Sequence, residues 1–162
     1  MNISKFTQKS VEILNNLEKI AYDFGAQEIA QEHLLYGMLT VEDSLIKKLI
    51  EKMEIDSDVF LAQVEGAVRK RPQVQGGQVY IGQDLNKVLV YAENEAKALG
   101  DEYVSVEHLF LSLLRKPSKE IKQLFHDFQI DRERFLQALS KVRGNQKVTT
   151  DNPEAVYDSL NK

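Results

Sequence analysis

A chain of 162 residues, 43% hydrophobic and 28% charged, has the length and composition of one folded domain or of two intimately packed halves, with roughly 70% of its unfolded surface available for burial. It has no cysteine, which excludes a disulfide framework, a thiolate nucleophile and any cysteine-based zinc site. No apolar run approaches the ~20 residues that span a bilayer, the N-terminus lacks the basic-then-apolar pattern of a signal peptide, and a net charge of -4 offers nucleic acid no long-range attraction.

These features lead us to expect a cytoplasmic protein that touches neither membrane nor nucleic acid. The one tight basic cluster, Arg69-Lys70-Arg71, reads as a solvated helix end.

Thr7 is placed to cap a long first helix, whose apolar positions Val11, Leu14, Leu17, Ala21 and Phe24 recur at helical spacing and which Gly25 stops. A second helix, over about residues 31–40, carries Leu34, Leu35, Met38 and Leu39. A third, over about 43–52, carries Leu45, Ile46, Leu49 and Ile50, and Asp56 caps a fourth that turns Val59, Phe60, Val64, Ala67 and Val68 inward. Helical spacing then stops at 71–82, where Pro72 and Gly76-Gly77 mark an irregular linker. Period-2 alternation is confined to a few residues around 79–81, too little to compete with an all-α reading.

The four helices then recur. Ser105-Val106-Glu107-His108-Leu109 stands 75 positions after Ala30-Gln31-Glu32-His33-Leu34. The same gapless offset aligns Leu14 with Leu89, Glu18 with Glu93, Gly25 with Gly100, Ile55-Asp56 with Ile130-Asp131 and Phe60-Leu61 with Phe135-Leu136. Roughly a quarter of the aligned positions are identical and most others exchange apolar for apolar, which marks an internal repeat. Helices are expected at about 83–99, stopped by Gly100; at 106–115, capped by Ser105; at 118–127; and at 131–143, capped by Asp131.

The expected fold is therefore all-α, eight helices in two four-helix repeats (about 4–70 and 83–144, joined by 71–82). A pseudo-twofold axis would bury the second and sixth helices and leave equivalent clefts on the surface. Residues 145–151 offer few apolar groups and are expected to be a flexible hinge. Asn152-Pro153-Glu154 has the cap, first-turn proline and acid of a further helix belonging to a following module.

Few residues carry chemistry. Gly77 to Gly82 has the spacing of a P-loop, but Gln83-Asp84 stands where lysine and a hydroxyl residue are needed, and Asp84 would repel phosphates. His33 and His108 each follow a glutamate without forming a metal motif and read as structural residues. Nothing suggests an enzyme, and neither metal nor cofactor is expected in this chain. Glu32 and Glu107 each fall in the first turn of a helix, where a carboxylate is worth ~0.3–1 kcal/mol. Two readings stay open for them: helix-end stabilisation, or an acceptor beside each cleft for a bound peptide or guanidinium group.

The doubled Glu-His-Leu unit, the opening Lys5-Phe6-Thr7, the linker Arg71-Pro72-Gln73-Val74-Gln75-Gly76-Gly77 and the tail Val142-Arg143-Gly144-Asn145-Gln146 together resemble the amino-terminal domain of the Clp-family ATPases, over essentially the whole chain. The linker and Asn152-Pro153-Glu154 lean towards the disaggregase branch of that family. The resemblance implies a monomeric, substrate-binding domain of an AAA+ chaperone acting in stress response and protein refolding. It would bind unfolded or aggregated polypeptide, and possible adaptor proteins, and deliver clients to a hexameric threading motor. ATP and magnesium would belong to motor domains that this chain lacks. In disaggregase relatives the peptide groove involves a threonine at the first helix start, a leucine in the fifth helix and the glutamate opening the sixth, which match Thr7, Leu89 and Glu107 here. Further groove positions, leucine in some relatives, are Tyr91, Glu95 and His108, so the groove is not simply apolar. In protease-associated relatives the glutamate of each Glu-His unit contacts phosphorylated arginine, and both acids are retained as Glu32 and Glu107. Ala30, however, stands where the second unit has Ser105. The alternative function this implies is an adaptor- or phospho-arginine-docking domain of a Clp protease ATPase.

Overall fold

The computed structural model describes residues 3–160. After a 3-10 turn at Ile3–Lys5 come α1 (Gln8–Asn15), α2 (Leu17–Asp23), β1 (Glu28–Ile29), α3 (Gln31–Thr40), α4 (Leu45–Lys52) and α5 (Ser57–Arg69). The second unit is β2 (Tyr80–Ile81), α6 (Gln83–Ala98), α7 (Val106–Arg115), α8 (Lys119–Asp127) and α9 (Arg132–Arg143), and α10 (Glu154–Leu160) follows. The fold is all-α in substance, as its sequence pattern predicts. The expected continuation of the last helix to residue 162 lies outside the described residues.

Side-chain caps set most helix starts. Thr7 accepts from the Ser10 amide, Ser44 from Lys47, Asp56 from Asp58 and Val59, Ser118 from Ile121 and Asp131 from Arg134. Each satisfies a donor that the first helical turn leaves unpaired. The long first helix predicted from Thr7 to Phe24 is instead two, broken at Asn16, whose amide turns back to the Ile13 and Leu14 carbonyls. Asparagine competes with helix by offering its backbone local alternatives, and α6, the counterpart, has Tyr91 at that place and runs unbroken. The third predicted helix starts two residues late because Asp43 adopts φ 56°, leaving Ser44 as cap. The residues of marginal alternation do form a strand: β2 pairs in parallel with β1, Glu28 opposite Tyr80 and Ile29 opposite Ile81.

The repeat is visible in three dimensions. α4 of the first unit packs on α9 of the second, α8 of the second packs on α5 of the first, and α3 meets α7. Such reciprocal exchange is what a pseudo-twofold requires. Backbone specials obey the same offset: Gly25 and Gly100 turn at φ 73° and 72°, and Glu54 and Gln129 at 63° and 56°. The core is continuous across the units, with Phe60, Phe110 and Phe135 fully buried. Phe110 stacks on Phe135 at 4.4 Å, while Phe60 meets Phe128 of the other unit edge-on at 5.0 Å.

The tail differs from the expected hinge. Val148 is buried, its carbonyl accepts from the Glu102 amide at 2.8 Å, and the Gln8 amide donates to the Asp151 carbonyl at 2.8 Å. This repeats what the linker does one unit earlier, where Gln73 bridges to Ala26 and the Val74 amide donates to the Gly25 carbonyl at 2.9 Å. Composition suggested a hinge because Val148, Pro153 and Tyr157 are scattered among polar residues, yet each of the three is buried.

Candidate functional site

The two Glu-His starts, on α3 and α7, share one local device. The Nδ1 of His33 accepts from the Ala30 amide and that of His108 from the Ser105 amide, both at 2.8 Å. Each histidine thus ties its ring back to the residue that opens its helix. Beyond that device the two sites diverge.

At the second site every polar group is met. The Ser105 hydroxyl donates to Glu107, Arg143 Nη1 donates to Glu107 Oε2 at 3.2 Å, and the Tyr157 hydroxyl donates to the same oxygen at 3.2 Å. His108 Nε2 stands 2.7 Å from Asp101 Oδ2, and Arg143 Nη2 donates to Asp101 Oδ1 at 2.6 Å, an oxygen that also accepts from the Val148 amide. Burial alone would raise the Asp101 carboxyl, but the hydrogen bonds from His108, Arg143 and Val148 outweigh it and hold it at about 2. Burial, with the Glu107 carboxylate second, pushes the Tyr157 hydroxyl up, so it stays a proton donor.

At the first site the same positions are bare. Glu32 is 1% exposed, and neither of its carboxylate oxygens has a hydrogen-bond partner among the described residues. His33 Nε2 is orphaned likewise, as is Arg71 Nε. Arg71 reaches Glu32 only at 3.7 Å, because its nearer partner is Glu28 on β1. Burial pushes the Glu32 carboxyl up, while burial and then the Arg71 charge depress His33 to about 4. The repeat explains three of the missing partners: Ala30 replaces Ser105, Ala26 replaces Asp101 and Val68 replaces Arg143.

Glu32 lines a cleft of about 690 Å³ that runs between α5 and α8 and is flanked by Ala67, Arg71, Pro72 and Leu124. Lys70 and Lys119 stand around it with Glu120 and Asp127, so both signs of charge are offered at its rim.

The chain matches the Clp repeat N-terminal domain family over residues 5–128. It belongs to that family. Curated relatives of this Clp N-terminal domain include the chaperone protein ClpB of Nitratidesulfovibrio vulgaris, 40% identical, and that of Bacillus cereus, 37% identical. Both matches take in 100% of this chain but only 19% of the relative. Among solved structures, the Hsp104 N-terminal domain of Candida albicans superposes with a TM-score of 0.81 at 20% identity, covering 93% of this chain and 99% of that one. A ClpV N-domain in complex with a VipB peptide superposes with a TM-score of 0.68 at 20% identity, over 85% of this chain and 86% of that one. Among the described residues, no helix is long and apolar enough to cross a membrane.

The structure brings Thr7 beside the second site, its amide donating to the Val104 carbonyl at 2.9 Å. It does not bring the predicted groove residues to a common surface: Thr7, Glu32, Leu89, Glu107 and His108 are all buried. Glu95 is buried too, clamped by Arg115 at 2.5 Å and Arg132 at 2.6 Å. Tyr91 alone shows its ring, 38% exposed with Lys116 Nζ 4.8 Å above it. The sequence reading missed Asp101, Arg143, Arg71 and Tyr157. Comparing the repeats outside the Glu-His-Leu core would have exposed the Ala26/Asp101 and Val68/Arg143 contrasts.

Proposed function

We propose that this chain is the substrate-recognition domain of an ATP-dependent chaperone or disaggregase, capturing unfolded or aggregated polypeptide for delivery to a hexameric threading motor. The observation that carries this reading is the buried Glu32 carboxylate, ion-paired with Arg71 at 3.7 Å but without a hydrogen-bond donor among the described residues, beside the cleft between α5 and α8. A buried acceptor without a donor is costly, and a ligand donor entering the cleft relieves that cost at a concave, mixed-polarity site. The ClpB relatives and the peptide-bound ClpV N-domain support the assignment. Glu32 is the contact residue in this reading, whereas Glu107 and His108 belong to the satisfied second site with Thr7 beside it, and Leu89 is core. An open cleft with one buried acid leaves little surplus after ordering costs, so affinity should be micromolar or weaker. Titration with a fluorescently labelled, permanently unfolded protein tests it. Binding should saturate and fall at least about tenfold in Glu32→Gln, a loss of ~1.4 kcal/mol; unchanged binding in that variant overturns the site.

A second reading, phospho-arginine docking, is favoured by one feature: Lys70, Arg71 and Lys119 border the cleft that Glu32 lines. The acid suits a guanidinium and the cations suit its phosphoryl group. Free phospho-arginine perturbing Glu32 while an unfolded client does not would favour this reading over the first.

A further inference from the structure

Two arginines from different helices converge on Glu95, a buried carboxylate of α6. Arg115, the last residue of α7, donates through Nε to Oε1 at 2.5 Å, and Arg132, the first of α9, donates through Nη1 to Oε2 at 2.6 Å. Burial alone would raise the Glu95 carboxyl, but these hydrogen bonds outweigh it and hold it below its ordinary value. Glu95 therefore stays charged and fixes both guanidinium groups. Their remaining N–H donors have no other partner among the described residues, and the two side chains are 51% and 33% exposed. Both stand at the rim of a cavity of about 260 Å³ between the end of α7, α8 and the start of α9. Its floor is Leu114, Phe125 and Ile130, and Lys122 and His126, one turn apart on α8, join the arginines at the rim. Against Arg115, Lys122 and Arg132 stand only Glu95 and Asp131, and Asp131 is occupied as a helix cap by the Arg134 amide.

The first unit shows that the fold does not require this clamp. At the same repeat offset the apolar floor is kept as Leu39, Ile50 and Ile55, while Glu95, Arg115 and Arg132 become Ile20, Thr40 and Ser57. Ile20 is buried, so an apolar residue fills the place of Glu95. A buried ion pair contributes little net stability, because taking charges out of water offsets most of their attraction. What the clamp adds is its outer face, two fixed guanidinium forks beside an apolar pocket.

We propose that this cavity captures the C-terminus of a polypeptide whose last residue is apolar, leucine or one of similar size. The final side chain enters the pocket and the terminal carboxylate meets Arg115 and Arg132, with Lys122 adding charge. The surplus of cations calls for an anion, and the planar guanidinium fork matches a carboxylate. The small volume admits one side chain and no larger ligand. A terminal carboxylate shares its Cα with that side chain, so the two arrive together; the acidic side chain of a neighbouring residue in an extended peptide points to the opposite face. Thr7, Leu89, Tyr91, Glu107 and His108 do not line this cavity, and it shares no lining residue with the Glu32 cleft.

The test is an amide-shift titration of the isotopically labelled full chain with three forms of one acetylated peptide, Gly-Ser-Gly-Ser-Leu: the free acid, the C-terminal amide, and the amide with glutamate in place of the last serine. The free acid should shift residues 114–117, 122–126 and 130–132 around the cavity. The amide should bind at least about tenfold more weakly, and the glutamate peptide should match the amide. Lys122→Gln, which leaves the Glu95 clamp untouched, should weaken the free acid several-fold, and Arg132→Gln by more. Glu32→Gln should change nothing here, which separates failure at this cavity from failure at the Glu32 cleft. Equal binding of acid and amide, no shift by the free acid at millimolar concentration, or shifts centred on the Glu32 cleft would overturn the proposal, as would a glutamate peptide that binds as tightly as the free acid. Should Arg132→Gln not fold, Lys122→Gln and the comparison of acid with amide decide the matter.

Discussion

One helix start, written twice, has been finished in two different ways. Around Glu107 the chain adds a hydroxyl, a carboxylate, an arginine and a phenol, and each polar atom finds a partner. Around Glu32 it substitutes two alanines and a valine, and the same helix start leaves a buried carboxylate without a hydrogen-bond donor beside a cleft. The backbone fixes where an acid stands; its neighbours decide whether that acid serves stability or remains available to a ligand. Saturated polar networks rigidify, while a partly satisfied one holds unspent interaction energy.

Cutting the cation from each network should show this most strongly. Arg143, with 5% of its side chain exposed, holds both Asp101 and Glu107, so Arg143→Met should cost about 3–5 kcal/mol by leaving buried charges uncompensated. Arg71, 22% exposed and bound mainly to half-exposed Glu28, should cost about 1 kcal/mol when replaced in the same way. Urea denaturation of the two variants measures the ratio, and equal losses would erase the distinction between the sites.

Shortening the chain after Gly144 should come next. It removes the burial of Val148 and Tyr157 and their hydrogen bonds to the second site, a loss of about 2–4 kcal/mol and roughly 5–10 °C in melting temperature. A true hinge would leave the melting temperature unchanged.

The sites should also separate by pH. His33, held at about 4, refuses a proton that the unfolded chain accepts below its usual 6.5. Stability is therefore fully present above pH 6.5 and should fall by on the order of 2 kcal/mol as pH drops towards 4. Asp101, held at about 2 against an ordinary 3.8, contributes stability that is present above pH 4 and lost as pH falls from about 4 to 2. His33→Gln should flatten the upper window and leave the lower one, as read by chemical denaturation across pH.

The smallest change is Ala30→Ser, which restores at the first site the hydroxyl that Glu107 receives from Ser105. A gain of up to about 1 kcal/mol is expected, with weaker ligand binding at Glu32 because its carboxylate now has a donor. Stability and affinity moving in the same direction would count against the account.

The fold was largely legible in the sequence because helical spacing, capping residues and the Glu-His-Leu repeat all point to the same two units. The break at Asn16 and the two-residue strands were not, since each depends on a backbone choice that tertiary contacts make. The site was half legible. Glu32 and Glu107 stand out by position, but Arg143 and Tyr157 reach Glu107 from 36 and 50 residues away, and no local pattern marks such pairings. The tail misled for a related reason: Val148 and Tyr157 are isolated apolar residues whose burial follows from contacts with the distant Asp101, Glu102 and Glu107, not from their neighbours in sequence.

The central claim is that the first Glu-His site, its carboxylate lacking a hydrogen-bond donor, takes up a ligand from the cleft beside it, whereas the second is satisfied by the chain itself. The most direct measurement is an amide chemical-shift titration of the isotopically labelled chain with a permanently unfolded protein. The account predicts shifts at residues 63–71 and 119–127, around the Glu32 cleft, lost in Glu32→Gln, with 101–108 unmoved. Shifts centred on Glu107 in the wild-type chain, with the Glu32 cleft silent, would contradict it.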